Sequence, residues 1–430
     1  MHKFDVEGGF PISGEVSLLG GKNSVIPVIC ATLLTDETCI INDVPRISDV
    51  RDILSILKLL GSQIKYITPS QIQINNKNLE FKKKDERVIF EKITKLRGSI
   101  LLLAPFIFRF HNTPFVFPGG DRIGGRELSP HFSGFKKLGL NVEYINEHFN
   151  VSGNLKNNYI FLYESSVTAT ENLAMLCSTI EGESFIENAA CEPHVRDLCN
   201  MLVKMGAEIE GIGTNILKIK GKNNLSPVTH TVLSDTIEAA TYLIFGLMSK
   251  GKIRVKNVKV EDMKSILYVF DIFNIQYKVY NDSIEVSEIQ DMYYRKELGF
   301  NNMGIYTQPY PAFPTDLLPQ AITLATQVKG DIIFFEKMYE GRIDFAEDLV
   351  KMGGKFIFLD THRILVKGVS KLKGASLIGK DIRSAVSYLS AMISAQGKSS
   401  LLGVEHIDRA YPKIEVLLSN LGAKIKRYKI

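Results

Sequence analysis

Four stretches of this sequence gather residues able to hold an anion or move a proton. Gly20-Gly21-Lys22-Asn23 sets two glycines, which let a backbone approach a ligand closely, ahead of a lysine that can serve phosphate as a point charge. A plain turn with a surface lysine fits the same residues, and the G-x-x-x-x-G-K-[ST] loop is absent. The loop from Pro118 to Arg126, PGGDRIGGR, carries four glycines, Asp121 and two arginines. It suits a lid that closes over an anion, or an ordinary flexible loop. In PYPAFPTD, three prolines stiffen the approach to Asp316. A carboxylate held that rigidly suits a general base, with helix capping as a competing role. Finally, Lys380-Asp381-Ile382-Arg383 and His406-Ile407-Asp408-Arg409 supply arginine forks that match phosphate and carboxylate. Solvated charges or surface ion pairs are the plainer reading of each taken singly.

The elements that must position these residues repeat six times. One unit reads as an apolar helix, a β-rich strand, an amphipathic helix ending in an apolar–Gly pair, and a second strand. The pairs are Leu60-Gly61, Leu138-Gly139, Met205-Gly206, Met352-Gly353 and Leu421-Gly422, and Phe273-Asn274 fills the remaining slot. Asn is the usual substitute where a helix ends in the left-handed region. The spacings are 78, 67, 68, 79 and 69 residues, so long and short intervals recur as if two halves each held three units. Alternating strands follow the pairs: QIKYI, NVEYI, EIEGI, IQYKV, KFIFL and KIKRY.

Six helices are apolar around most of their circumference: NSVIPVICATLL, KLRGSILLLAPFIF, TATENLAMLCSTI, DTIEAATYLIFGLM, PTDLLPQAITLAT and DIRSAVSYLSAMI. Such helices belong in the interior with sheets outside them. Their starts carry Lys22, Arg97, Thr168–Thr170, Asp235–Glu238, Thr315–Asp316 and Asp381–Arg383. Helix N-termini attract anions, so aligned starts would form an anion-binding floor. N-capping explains Thr315 and Asp381 well. Lys22, Arg97 and Arg383 need something anionic nearby.

Composition sets the outer limits. A net charge of +5, from 52 basic and 47 acidic side chains, is too mild to argue for nucleic acid. The five cysteines form no C-x-x-C, which points to buried thiols in a reducing compartment, and no metal-ligand spacing is present. MHKFDVEGGF lacks a signal-peptide core, and the longest apolar run, Ile100 to Phe108, is short of the roughly 20 residues a membrane span needs. A cytoplasmic protein with no membrane contact is expected.

Taken together, the motifs resemble the enolpyruvyl transferases, and within them the UDP-N-acetylglucosamine 1-carboxyvinyltransferases of peptidoglycan synthesis. GxxxxSGEVxxxGGKNxxxP, LRGSI, PGGDxIGxR with HxxG, TATEN, IENAAxEP, FPTD, DIR and HIDRxY occur in the family's order along essentially the whole chain. Asn23 favours the aminosugar enzymes over the shikimate-pathway synthase, which carries Ser there. The resemblance implies an α/β fold, an inside-out α/β barrel of two domains, each of three repeated units around buried helices. It places residues 22–232 in the first domain, with a lid at 118–126, and 1–21 plus 233–430 in the second.

By this likeness Lys22, Asn23, Arg126, Arg383 and Arg409 would hold phosphoenolpyruvate. Arg97, Arg126, Glu127, Leu128, Ser129, Pro130, His131, Glu164, Ser165, Ser166, Val167, Asn23, Asp316 and Met338 would line the UDP-sugar site. Asp121, Asp316, Lys22 and Arg409 would be catalytic, with Asp316 as base for the 3-hydroxyl. No metal or organic cofactor is implied; the partners are the two small substrates. Most members carry cysteine where Asp121 stands, so fosfomycin, an epoxide that alkylates that thiol, is expected not to inactivate this chain. Thr168, Glu164, Cys191, Leu318 and Glu127 depart from the usual residues, mainly around the nucleotide-sugar pocket. A paralogue acting on another nucleotide sugar and a shikimate-type synthase are therefore the enzymatic alternatives. A non-catalytic nucleotide-sugar sensor and a repeat scaffold are the non-enzymatic ones. The sensor would be expected to have lost Lys22, Asp316 or Arg409; the scaffold leaves the cations at helix starts unexplained.

Overall fold

The structure is a computed structural model describing residues 2–111, 113–120, 124–145, 148–288, 290–296 and 304–430. The chain forms two compact units. One takes Leu19–Gly120 and Arg126–Leu233; the other takes the N-terminal stretch through Leu18, Gly124 and Gly125, and Ser234–Ile430. Gly124 and Gly125, expected with the first domain's lid, group with the second unit because Gly124 backs onto the Tyr339–Glu340 backbone.

Each unit is an α/β barrel turned inside out. In the first, helices Lys22–Ala31, Leu103–Phe110 and Val167–Cys177 fill the interior. In the second, Thr236–Ser249, Leu318–Ala325 and Ile382–Ser394 do so. Every residue of Ile382–Ser394 but the last is buried, as its all-round apolar sequence requires. Three stretches read as single helices are composite: Thr32–Leu34 is a 3-10 turn behind helix Lys22–Ala31, and Arg97–Leu102 and Thr315–Leu317 are 3-10 turns ahead of their α-helices. Pro105 and Pro319 are the cause of the latter two, since a proline ring displaces the carbonyl four residues before it and lacks the N–H that would bond it.

Among the described residues the strands form six small sheets, three on each unit. Burial alternates along them, as in QIQIN of Gln71–Asn75, so one face covers the helices and the other meets water. Five sheets have four strands, with a short parallel strand at one edge and antiparallel pairing elsewhere. The strand His2–Gly8 lies inside the sheet of the second unit, between Gly397–Leu402 and Lys424–Lys429. The repeated helix ends adopt the left-handed backbone expected of them: φ is +103° at Gly61, +86° at Gly139, +108° at Gly206, +96° at Gly353 and +106° at Gly422. Asn274, in the glycine-free slot, has φ +53° and donates its side-chain amide to the Asp291 carbonyl at 2.9 Å. Among the described residues no helix is long and apolar enough to cross a membrane.

Candidate active site

Asp316 sits in the 3-10 turn Thr315–Leu317 that opens helix Leu318–Ala325. Two guanidinium groups grip its carboxylate, one on each oxygen. Arg342 donates to Oδ1 at 2.8 Å and Arg383 donates to Oδ2. Both arginines are buried, whereas the Asp316 side chain keeps 30% of its surface open. An ionised carboxyl has about four lone-pair sites, so accepting two N–H bonds leaves capacity for a substrate hydroxyl.

Arg383 belongs to the first turn of helix Ile382–Ser394, which Asp381 starts through a capping box with Ser384. Its other terminal nitrogen reaches the Tyr411 hydroxyl at 3.5 Å, and that hydroxyl meets Thr241 at 3.0 Å. Asp235 caps helix Thr236–Ser249 by accepting the Ile237 N–H at 2.7 Å. Burial raises the Asp235 carboxyl and pushes Glu238 up to about 8, with the Asp235 charge adding to the latter. Acidic groups thus crowd the helix starts of this unit, and buried arginines balance them. Thr315, expected as an N-cap, instead gives its hydroxyl to Glu336 at 2.7 Å.

The first unit holds the other candidates. Lys22 begins helix Lys22–Ala31, and its ammonium meets the Asp49 carboxylate at 2.6 Å. The anion demanded by a cation at a helix start is therefore supplied from within the chain, and the same holds for Arg383. Gly20 has a different task from approaching a ligand. A Cβ there would come within 2.5 Å of Val232 and 2.6 Å of the Asp43 carbonyl. Arg97 donates to the Arg126 carbonyl at 2.6 Å, and a Cβ at Gly120 would lie 2.9 Å from the Arg97 side chain. Arg97 thereby anchors the Arg126 flank of the glycine-rich loop, and Gly120 on the other flank passes close against it.

The two segments expected to line the sugar nucleotide lie side by side. The Ser129 hydroxyl contacts the Tyr163 hydroxyl at 2.7 Å and donates to Glu127 at 2.5 Å. His131 contacts Thr168 Oγ1 through Nε2 at 3.0 Å and Asn172 through Nδ1 at 3.1 Å. Asn172 Oδ1 accepts the Ala104 N–H, and its Nδ2 donates to the Ile100 carbonyl. That fixes the amide orientation, so Nδ1 of His131 accepts and the ring carries its proton on Nε2. Burial, with the Arg97 charge second, pushes His131 down to about 3. His131, Leu128 and Pro130 are buried and back this wall; Glu164 is exposed, and Ser165, Ser166 and Val167 are half-buried where helix Val167–Cys177 begins.

Lys22, Asn23, Arg97 and Arg126 belong to one unit, and Asp316, Met338, Arg383 and Arg409 to the other. Arg409 is half-buried at the end of the 3-10 turn Val404–Arg409, two residues before Tyr411. Asp121 lies outside the described residues. Arg342, Glu336, Asp49 and Tyr163 were not read from the sequence. Each sits in a stretch without glycine–proline punctuation strong enough to mark it, and only its partner across the fold reveals it.

With this geometry in hand, known proteins provide a comparison. A profile of the family described as EPSP synthase (3-phosphoshikimate 1-carboxyvinyltransferase) matches residues 6–418. UDP-N-acetylglucosamine 1-carboxyvinyltransferase of Borreliella burgdorferi is 39% identical over 430 residues, covering 100% of both chains. The protein of the same name from Bacteroides thetaiotaomicron is 36% identical over 435 residues, covering 99% of this chain and 100% of its own. Among solved structures, the enolpyruvyl transferase NikO from Streptomyces tendae superposes with a TM-score of 0.87 at 18% identity, over 100% of this chain and 99% of that one. EPSP synthase from Acinetobacter baumannii gives 0.72 at 14% identity, over 100% of each chain. These two structures share the fold.

Proposed function

The chain belongs to the EPSP synthase (3-phosphoshikimate 1-carboxyvinyltransferase) family, and from that premise we propose that it moves the carboxyvinyl group of phosphoenolpyruvate onto the 3-hydroxyl of UDP-N-acetylglucosamine, in the cytoplasm, as the entry step of peptidoglycan synthesis. The observation that carries the chemistry is Asp316, clamped on both oxygens by buried arginines at the start of a buried helix. A carboxylate fixed in this way has one orientation in which to accept a proton. It takes the proton as the hydroxyl forms its new C–O bond and becomes acidic.

In the proposed reaction a general acid, assigned to Asp121, protonates the methylene carbon of phosphoenolpyruvate. The sugar hydroxyl attacks C2 and gives its proton to Asp316. The resulting tetrahedral adduct returns the methyl proton to Asp121 as the C–O bond to phosphate breaks, and the departing phosphate takes the proton held by Asp316, which restores the vinyl group as an ether. Lys22, Asn23, Arg126, Arg383 and Arg409 are assigned to the phosphate and carboxylate of phosphoenolpyruvate, an anion dense enough to need several cations. Arg97 is assigned to hold the Arg126 loop rather than to contact the nucleotide, on the strength of its bond to the Arg126 carbonyl.

A second reading, another nucleotide sugar as acceptor, is favoured by Thr168. Its hydroxyl engages His131 at a position where family members usually carry glycine, so the pocket wall differs in shape from theirs. Phosphate release measured with phosphoenolpyruvate and, in turn, UDP-N-acetylglucosamine, other UDP-sugars and shikimate 3-phosphate separates these readings. Turnover with UDP-N-acetylglucosamine alone is expected. Asp316→Asn should lower kcat by roughly 100-fold or more, the range of general-base effects; unaltered turnover would refute the base. Fosfomycin is expected to leave no adduct and cause no time-dependent loss of activity, because a carboxylate opens epoxides far more slowly than a thiolate.

A further inference from the structure

Glu336 follows strand Gly330–Phe335, and its side chain is fully buried. Four donors converge on it. Oε1 accepts from the Thr307 hydroxyl at 2.8 Å and from the backbone N–H groups of Met338 and Tyr339 at 2.7 and 3.1 Å. Oε2 accepts from the Thr315 hydroxyl at 2.7 Å. An ionised carboxylate is acceptor-only, and this arrangement uses it so on both oxygens. Charge-assisted bonds of this kind are about twice as strong as neutral ones, and the group has no water to fall back on.

Three of the four donors lie on segments leading directly to the two members of one ion pair. Thr315 immediately precedes Asp316. Met338 and Tyr339 lead into Arg342, whose backbone N–H donates to the Tyr339 carbonyl at 3.1 Å before its guanidinium returns to Asp316. We propose that Glu336 is a positioning residue for the transfer: it sets Asp316 and Arg342 in register from behind, touching no substrate itself. The proposal rests on the reading of Asp316 as base.

Glu336→Gln, Thr315→Val and Thr315→Ser test it, assayed by phosphate release from phosphoenolpyruvate and UDP-N-acetylglucosamine, with rates normalised to folded enzyme. Misplacing a catalytic group by an ångström costs up to about 100-fold. Glu336→Gln and Thr315→Val should therefore each lower kcat roughly 10- to 100-fold while KM for phosphoenolpyruvate stays within about twofold. Thr315→Ser, which keeps the hydroxyl, should restore the rate. The double variant should be no slower than the slower single one, because both break the same link. Should Glu336→Gln fail to fold, Thr315→Val and Thr315→Ser decide the matter. Normal kcat in Thr315→Val with Asp316→Asn inactive overturns the positioning role alone. Full turnover in Asp316→Asn overturns the base reading and the positioning role with it.

Discussion

His131 shows how far a single side chain can be understood from its surroundings. Its ring is buried and neutral, with Asn172 donating to one nitrogen and Thr168 contacting the other. With its pKa pushed down to about 3 by burial and by Arg97, the folded chain binds no proton there between about 3 and 6.5, whereas the unfolded chain does. Stability should rise with pH through that window, and be lost on acidification at a slope approaching about 1.4 kcal/mol per pH unit. His131→Gln should be less stable at pH 7, yet the gap from the parent should narrow steadily toward pH 4 in denaturant titrations; a constant gap would reject the neutral buried ring. From the sequence His131 was a member of a motif with no way to tell ligand from wall. The partners that settle its protonation, Asn172 and Thr168, lie 41 and 37 residues away. Asp316 was more legible, because three prolines announced a rigid approach. Its two arginine partners were not announced as partners: Arg342 stood in no motif, and Arg383 was assigned to phosphate.

At the scale of elements, period and punctuation carried most of the information. All six apolar segments became buried helices in whole or in part, and the five helix-ending glycines and Asn274 took positive φ, because both features follow from local backbone and burial rules. Composite helices were missed where a proline re-routes the first turn. Capping was read correctly at Asp381 and wrongly at Thr315: both residue types cap, and only a distant Glu336 diverts the second. Asp381→Ala should cost about 1 kcal/mol, typical of losing an N-cap. It should also loosen the first turn that carries Arg383, so that kcat falls several-fold while the helix persists by circular dichroism. A kcat unchanged at equal folded fraction would show that Arg383 is held by Asp316 and Tyr411 without help from the cap.

For the whole molecule, the repeat count anticipated two bodies with separate cores, and the described residues form two distinct hydrophobic clusters. What a repeat cannot disclose is which residues close each body. His2–Gly8 completes a sheet with strands made almost four hundred residues later, and His2 stands opposite Lys429. The two ends of the first body lie beside each other, since Gly21 N–H donates to the Leu233 carbonyl at 2.8 Å. The second body is thus sewn from both flanks of the chain, while the first is one nearly uninterrupted stretch. During synthesis the opening strand must wait, unpaired, for the last one to emerge, and the first body can finish long before. A circular permutant that joins residue 430 to residue 2 by a short glycine linker and begins at Leu19 would place each body in one continuous run. It should refold faster than the parent, with the same final stability within about 1 kcal/mol, because closing the far sheet would then require a far shorter loop.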